Sequence, residues 1–246
     1  MAKEAIQKML RGALEVALET LWPTRCAVCD LPGEDVLCPD CARALVVVDA
    51  CLACPRCGAP HGIVQCTECN EVMLNAAGID AFPIDAMAHA LVLDDAARRI
   101  VSAYKDGDER RLRTTIAERM EAYVGPLERA EGFAVAFIPD TAEAVRRRGF
   151  DHAREIAQEL ARRCGLECVE LFERPKSTDQ RELGRRQRID NMRNAMHVKE
   201  GVRMPERVLV VDDVCTTGAT MYAACAALRE AGVRRIHALT FGQVMD

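Results

Sequence analysis

Four apolar residues in a row, Val208–Val211, run into two aspartates, Asp212 and Asp213, and then a short Thr/Gly stretch. An unbroken apolar run of this kind predicts a strand buried on both faces, as in a parallel sheet. Met221–Ala231 follows as an Ala-rich helical pattern closed by Gly232. The same alternation is predicted upstream. Ala86–Leu93 reads as a strand, with Asp94 as the N-cap of a helix to about Tyr104. Lys105-Asp106-Gly107-Asp108 reads as a turn, and Glu109–Tyr123 as a helix with Leu112, Ile116, Ala117 and Met120 on its apolar side. Ala134–Ile138 is a second buried strand, ending at Pro139-Asp140. A polar loop is expected from there to Arg146-Arg147-Arg148-Gly149-Phe150, and Asp151 or His152 then opens a helix that buries Ile156, Ala157, Leu160 and Ala161. Arg235–Gln243 is the last strand. This order predicts an α/β domain over residues 80–246, built on a parallel sheet with crossover helices.

The N-terminal part has another character. Residues 1–22 read as an amphipathic helix, with Ile6, Met9, Leu10, Ala13, Leu14, Ala17 and Leu21 on one side and Lys8, Arg11, Glu15 and Glu19 breaking the apolar run. Charges within the run set it apart from a secretory signal. Nine of the 13 cysteines then fall between Cys26 and Cys69. Cys26-x-x-Cys29 is followed after eight residues by Cys38-x-x-Cys41, and Cys54-x-x-Cys57 after eight residues by Cys66-x-x-Cys69, a repeat with a shift of 28. Each Cys-x-x-Cys turn brings two thiolates to one point, and two such turns complete a tetrahedral Zn²⁺ site with no open position. Two structural zinc sites are therefore expected within residues 23–72, where metal would supply folding energy to a segment poor in apolar core. A Cys51-x-x-Cys54 pairing is an alternative register, and His61 an alternative ligand.

Composition narrows the function. A net charge of −5 and a 4% share of aromatics argue against a generally basic nucleic-acid binder or a stacking platform for single strands. There is no apolar run long enough to span a membrane, and clustered cysteines without a signal point to a reducing, cytoplasmic setting. Arg174–Asn194 holds seven basic residues against three acids, the composition of a loop that closes over a polyanion.

The chemistry concentrates after Val211. A loop that opens a helix offers free N–H groups and the positive end of the helix dipole, a seat for phosphate. The backbone of Cys215, Thr216, Thr217, Gly218, Ala219 and Thr220 would supply it, with the threonine hydroxyls as added donors. Adjacent carboxylates at Asp212 and Asp213 can accept from two neighbouring hydroxyls, as on a ribose, or help hold a divalent ion. Arg148 and Gly149 lie in a second strand–loop–helix stretch suited to pyrophosphate, and Lys105 is within chain reach of such a site. This run resembles the ribose-5-phosphate motif of type I phosphoribosyltransferases.

The whole chain, over about residues 20 to 244, resembles the ComF family: a double zinc ribbon joined to a type I phosphoribosyltransferase-like domain. The resemblance rests on the two cysteine sets, Tyr104-Lys105-x-Gly107, Arg148-Gly149-Phe150, the series Gln180, Leu183, Arg188, Asn191, Asn194-Ala195, and Val211–Thr220. Three places depart from the family's usual pattern. Phe137-Ile138-Pro139-Asp140 stands for Pro-Val-Pro, Gly149-Phe150-Asp151-His152 for Gly-Phe-Asn-Gln, and Met196 for Phe. The resemblance implies that Asp212 and Asp213 bind the ribose hydroxyls of phosphoribosyl pyrophosphate. It implies that Cys215–Thr220 take the 5-phosphate, and that residues near Arg146–Phe150 face a pyrophosphate bridged by Mg²⁺. It further implies a place in DNA uptake, with phosphoribosyl transfer to an acceptor as one activity. A non-catalytic zinc-ribbon adaptor for single-stranded DNA or a helicase-like partner is the other.

Overall fold

The computed structural model describes residues 23–76, 79, 81–175 and 196–245. The expected N-terminal helix lies outside them, as does most of the basic stretch after Arg174. The chain forms two compact units, Met1–Leu45 and Val46–Asp246. In the first, helix α1 (Pro39–Ala44) begins inside the first cysteine set. Cys38 is its N-cap, Pro39 takes a first-turn position where a missing N–H costs nothing, and Asp40 favours the positive end of the dipole.

The second unit runs α2 (Glu71–Ala76), β1 (Ala86–Val92), α3 (Asp95–Lys105), α4 (Leu112–Glu121), α5 (Pro126–Ala130), β2 (Ala134–Phe137), α6 (Ala142–Arg148), α7 (His152–Cys164), β3 (Glu167–Val169), β4 (Arg207–Cys215), α8 (Ala219–Glu230) and β5 (Arg235–Gln243). All five strands are parallel, in the order β1-β5-β4-β2-β3. The central strands β4 and β5 are buried on both faces, which explains their near-continuous apolar sequence. On one face, Ala136, Val208, Val210, Ile236 and Ala238 meet the small side of α8, at Ala223, Ala224, Cys225 and Leu228. On the sheet, α7 covers β2 and β4, α4 covers β1 and β5, and the two helices pack on each other. The β1 edge is closed by an antiparallel strap. Val48 donates to the Ala90 carbonyl at 3.1 Å and Val92 to that of Val46 at 2.9 Å. An edge covered in this way is not a template for pairing with another chain.

The polar stretch after Asp140, expected as a loop, is helix α6. Its N-cap, Thr141, accepts from the Ala144 N–H at 3.1 Å, and Gly149 closes it in the left-handed conformation. None of its side chains is buried, so no apolar period betrays it. The three-residue edge strand β3 is likewise too short for a pattern. No helix among the described residues is long and apolar enough to cross a membrane.

Candidate functional site

From β2 the chain moves to β3 on one side, and from β4 to β5 on the other. The direction of winding therefore reverses between β2 and β4, where open α/β sheets bind ligands at the strands' carboxyl ends. Strand β2 stops at Phe137, opposite Val211, while β4 runs four residues further beside β5. Pro139, which has no N–H, helps end the shorter ladder. The Asp212-Asp213 step thus faces the turn that carries Asp140.

Around Asp213 the structure gathers side chains from five places in the chain. Lys105, the last residue of α3, forms an ion pair with Asp213 Oδ2. His152, the first residue of α7, places Nε2 3.4 Å from the same oxygen. Its Nδ1 pairs with Asp140 Oδ2. Arg148, at the end of α6, reaches Asp140 Oδ1 and Asp106 Oδ1, each at 3.3 Å. Arg174 donates to Asp151 Oδ2 at 2.7 Å and to the Asp140 carbonyl at 3.0 Å. Tyr104, wholly buried, donates its hydroxyl to the His152 carbonyl at 3.0 Å, and its ring meets Phe150 edge-on at 5.4 Å. These bonds fix the start of α7 against the end of α3.

The charges follow from the contacts. Burial alone would raise the Asp213 carboxyl, but Lys105 and His152 hold it far below the usual carboxylate range. Asp212 is pushed up to about 7, by burial first and then by the charge on Asp213. Asp140 stays below its ordinary value, because His152 and Arg148 outweigh the effect of burial. Burial disfavours charge on His152, yet its two carboxylate partners lift it to about 9.

The loop expected to seat a phosphate is Thr216–Gly218, between β4 and α8. Gly218 is the N-cap with φ 75° and brings no side chain of its own to the N–H groups that open α8. Thr217 Oγ1 lies 3.5 Å from the Ala219 N–H. Cys215, Gly218 and Ala219 are buried, Thr217 and Thr220 are half-buried and Thr216 is exposed. Arg148 and Gly149 form the end of α6, with Arg148 turned toward Asp140 and Asp106.

The fit of magnesium can be tested on the residues present. His152, Asp212 and Asp213 bring one ligand atom each within 4.8 Å of one another. Magnesium demands near-octahedral oxygen ligands, whereas one of these atoms is a nitrogen and Asp213 already carries two cations. The group does not fit a resident magnesium ion.

The cysteine sets do fit zinc. Cys26, Cys29, Cys38 and Cys41 converge, as do Cys54, Cys57, Cys66 and Cys69, each set within 4.8 Å. A Zn–S bond of about 2.3 Å implies tetrahedral S···S edges of about 3.8 Å. The separations are 3.9 Å for Cys29–Cys38, 3.6 Å for Cys54–Cys69 and 3.5 Å for Cys57–Cys66. The two sets share a knuckle. The residue four after the first cysteine, Asp30 or Gly58, has positive φ and returns its N–H to that cysteine's carbonyl at 2.9 Å. Cys51 and His61 are exposed and belong to neither set, which settles the register in favour of Cys54 and Cys57.

Sequence reasoning located Asp212–Thr220 and Lys105. It noted Asp140 and His152 only as departures from a pattern and missed their contact, since twelve positions and a helix separate them. Asp106 and the Arg174–Asp151 pair left no signal in the sequence.

Comparison with known proteins agrees with this geometry. Residues 139–243 match the phosphoribosyl transferase domain family. Competence protein ComFC of Streptococcus pneumoniae is 23% identical over 203 residues, covering 82% of this chain and 86% of that protein. A crystal structure of orotate phosphoribosyltransferase from Aeropyrum pernix aligns with a TM-score of 0.33 at 21% identity, over 59% of this chain and 64% of that one. The match thus spans under two thirds of that enzyme's length. The family match and the competence-protein relative bear out the resemblance to the ComF family: residues 139–243 match a phosphoribosyl transferase domain, preceded by two four-cysteine clusters that fit a double zinc ribbon.

Proposed function

We propose that this protein binds phosphoribosyl pyrophosphate, taken up as its magnesium complex, at the carboxyl ends of β2 and β4. The observation that carries the reading is the continuous run from β4 through Asp212-Asp213 and the Thr216–Gly218 loop into α8, at the point where the winding of the sheet reverses. Asp212 and Asp213 would accept from the ribose hydroxyls, and the N–H groups of Cys215–Thr220 would hold the 5-phosphate. Lys105, Arg148 and the Gly149 turn would flank the pyrophosphate, with magnesium arriving on the ligand rather than waiting in the site. In such a complex an acceptor nitrogen can attack the anomeric carbon as its bond to pyrophosphate breaks. The loop donors and fixed cations would steady the departing charge.

The relative's description as a competence protein extends the proposal to DNA uptake. The reading in which the cysteine clusters instead hold single-stranded DNA has charge against it. Residues 26–69 carry two basic and six acidic side chains, a surface that repels phosphates. A helicase-like protein remains the partner class to test for that segment.

Calorimetric titration of phosphoribosyl pyrophosphate into zinc-loaded protein, with and without Mg²⁺, tests the reading. Micromolar binding that needs Mg²⁺ and is lost in Asp212→Asn, at unchanged zinc content and melting temperature, is expected. No heat at any concentration up to millimolar would overturn it.

A further inference from the structure

The turn after β2 and the start of α7 are one place in space. Asp140 stands in the first and His152 in the second, and their side chains pair. The His152 N–H also reaches Asp140 Oδ2 at 3.3 Å. Between the two residues lies the whole of α6. Both side chains are buried, with exposures of 7% and 10%.

His152 also has a second partner. Nδ1 faces Asp140, and Nε2 faces Asp213 at 3.4 Å. A neutral imidazole has one donor and one acceptor nitrogen, so in that form one of the two carboxylates would meet a lone pair. The doubly protonated ring meets both carboxylates with a proton, and Arg148 Nη1 also stands 3.4 Å from Nδ1. The charge count agrees. Asp140 and Asp213 lie among the cations Lys105 and Arg148, and once Asp212, pushed up to about 7, has also ionised, a charged His152 brings the group to balance. The titratable neighbours among the described residues are Tyr104, Lys105 and Asp106 from the end of α3, Arg148 from α6, Asp140 from the turn after β2, Asp212 and Asp213 from β4, and Arg174 with its partner Asp151. The raised proton affinity of His152 is consistent with this arrangement.

We infer that His152, braced by Asp140, is a positioning residue of the phosphoribosyl site: a fixed imidazolium that orients Asp213 and keeps the pocket receptive to an anionic ligand. The inference rests on the function proposed above. With its proton lost, His152 would leave the buried carboxylates in surplus, and a pyrophosphate-bearing ligand would be repelled.

The test compares the pH dependence of phosphoribosyl pyrophosphate binding in wild type, Asp140→Asn and His152→Gln, and follows the His152 ring by NMR in ligand-free protein. Wild type should lose about tenfold in affinity between pH 8 and pH 10, above the range in which Asp212 titrates. His152→Gln, which restores the family's usual residue, should bind more weakly with no such inflection. Asp140→Asn is the discriminating variant. Removing a negative charge should tighten anion binding if only net charge matters. If Asp140 braces the imidazolium, the variant should match wild type at pH 6 and bind about tenfold more weakly at pH 8. A His152 ring that titrates near 6.5 in wild type would overturn the inference, and so would binding that is flat to pH 10. Failure of wild type to bind at pH 7.5, with His152 shown charged by NMR, would sink the phosphoribosyl reading itself and the positioning role with it.

Discussion

His89 and His152 are both buried, yet their surroundings drive them in opposite directions. His89 sits on β1 with Nδ1 2.7 Å from Thr240 Oγ1 and Nε2 3.0 Å from the Cys57 carbonyl, so one proton satisfies the ring. Burial lowers it to about 4. His152 lies between two carboxylates and is lifted to about 9. A histidine raised above its unfolded value of about 6.5 contributes stability that is complete below that pH and is lost as pH climbs through 9. His89 is already neutral in both folded and unfolded chains over that interval, so it adds no slope there. Urea unfolding at pH 7 and pH 9 should therefore show an alkaline loss of about 2 kcal/mol. His152→Gln should be less stable at pH 7 and show little further loss by pH 9. An equal alkaline loss in both proteins would assign the slope to other groups.

The β4–loop–α8 element is tight where it turns. Gly218 has φ 75°, and a Cβ there would lie 2.7 Å from the ring of Tyr222, a buried side chain stacked edge-on against Phe82 at 5.3 Å. Gly218→Ala should cost roughly 1–3 kcal/mol by chemical denaturation, since both backbone and ring must move. It should also weaken ribose 5-phosphate binding more than Thr216→Ala does, because the turn aims the α8 N–H groups while Thr216 is an exposed side chain. This element was fully legible in the sequence, as were β1 and the Asp94 cap of α3, whose carboxylate accepts from the Ala97 N–H at 2.9 Å. Burial on one or both faces wrote those elements as apolar periods or runs. Helix α6 buries nothing and β3 is three residues long, so neither had a period to show. The site divides along the same line. The loop and its aspartates are contiguous in sequence, whereas the Asp140–His152–Asp213–Lys105 cluster is assembled by the sheet from distant segments. Residue types alone do not reveal such a contact.

At the scale of the molecule, the two cysteine clusters read alike in sequence but fall in different compact units. The second lies in the same unit as the sheet and packs directly on it. His89 donates from β1 to the Cys57 carbonyl, and Gly58 lies so close to β1 that a Cβ would be 2.6 Å from the Met87 carbonyl. Arg56 stacks 4.6 Å from the ring centre of Phe82, which itself packs against the core under α8. Burial opposes deprotonation of Cys54, but backbone N–H groups outweigh it and hold that thiol below its ordinary value, whereas Cys57 and Cys69 need a metal to lose their protons. Without one, burial drives Cys57 far above its ordinary value and Cys69 up to about 12. Binding energy at this cluster is therefore folding energy for the β1 side of the sheet. Cys54→Ser with Cys57→Ser should lower the melting temperature of the sheet unit by roughly 10 °C and release one zinc per chain, read by calorimetry and metal analysis. Cys26→Ser with Cys41→Ser should also release one zinc but move that transition less. If the two pairs shift the sheet equally, or neither shifts it, the contacts through His89, Gly58 and Arg56 are not what ties zinc to the stability of the phosphoribosyl transferase domain.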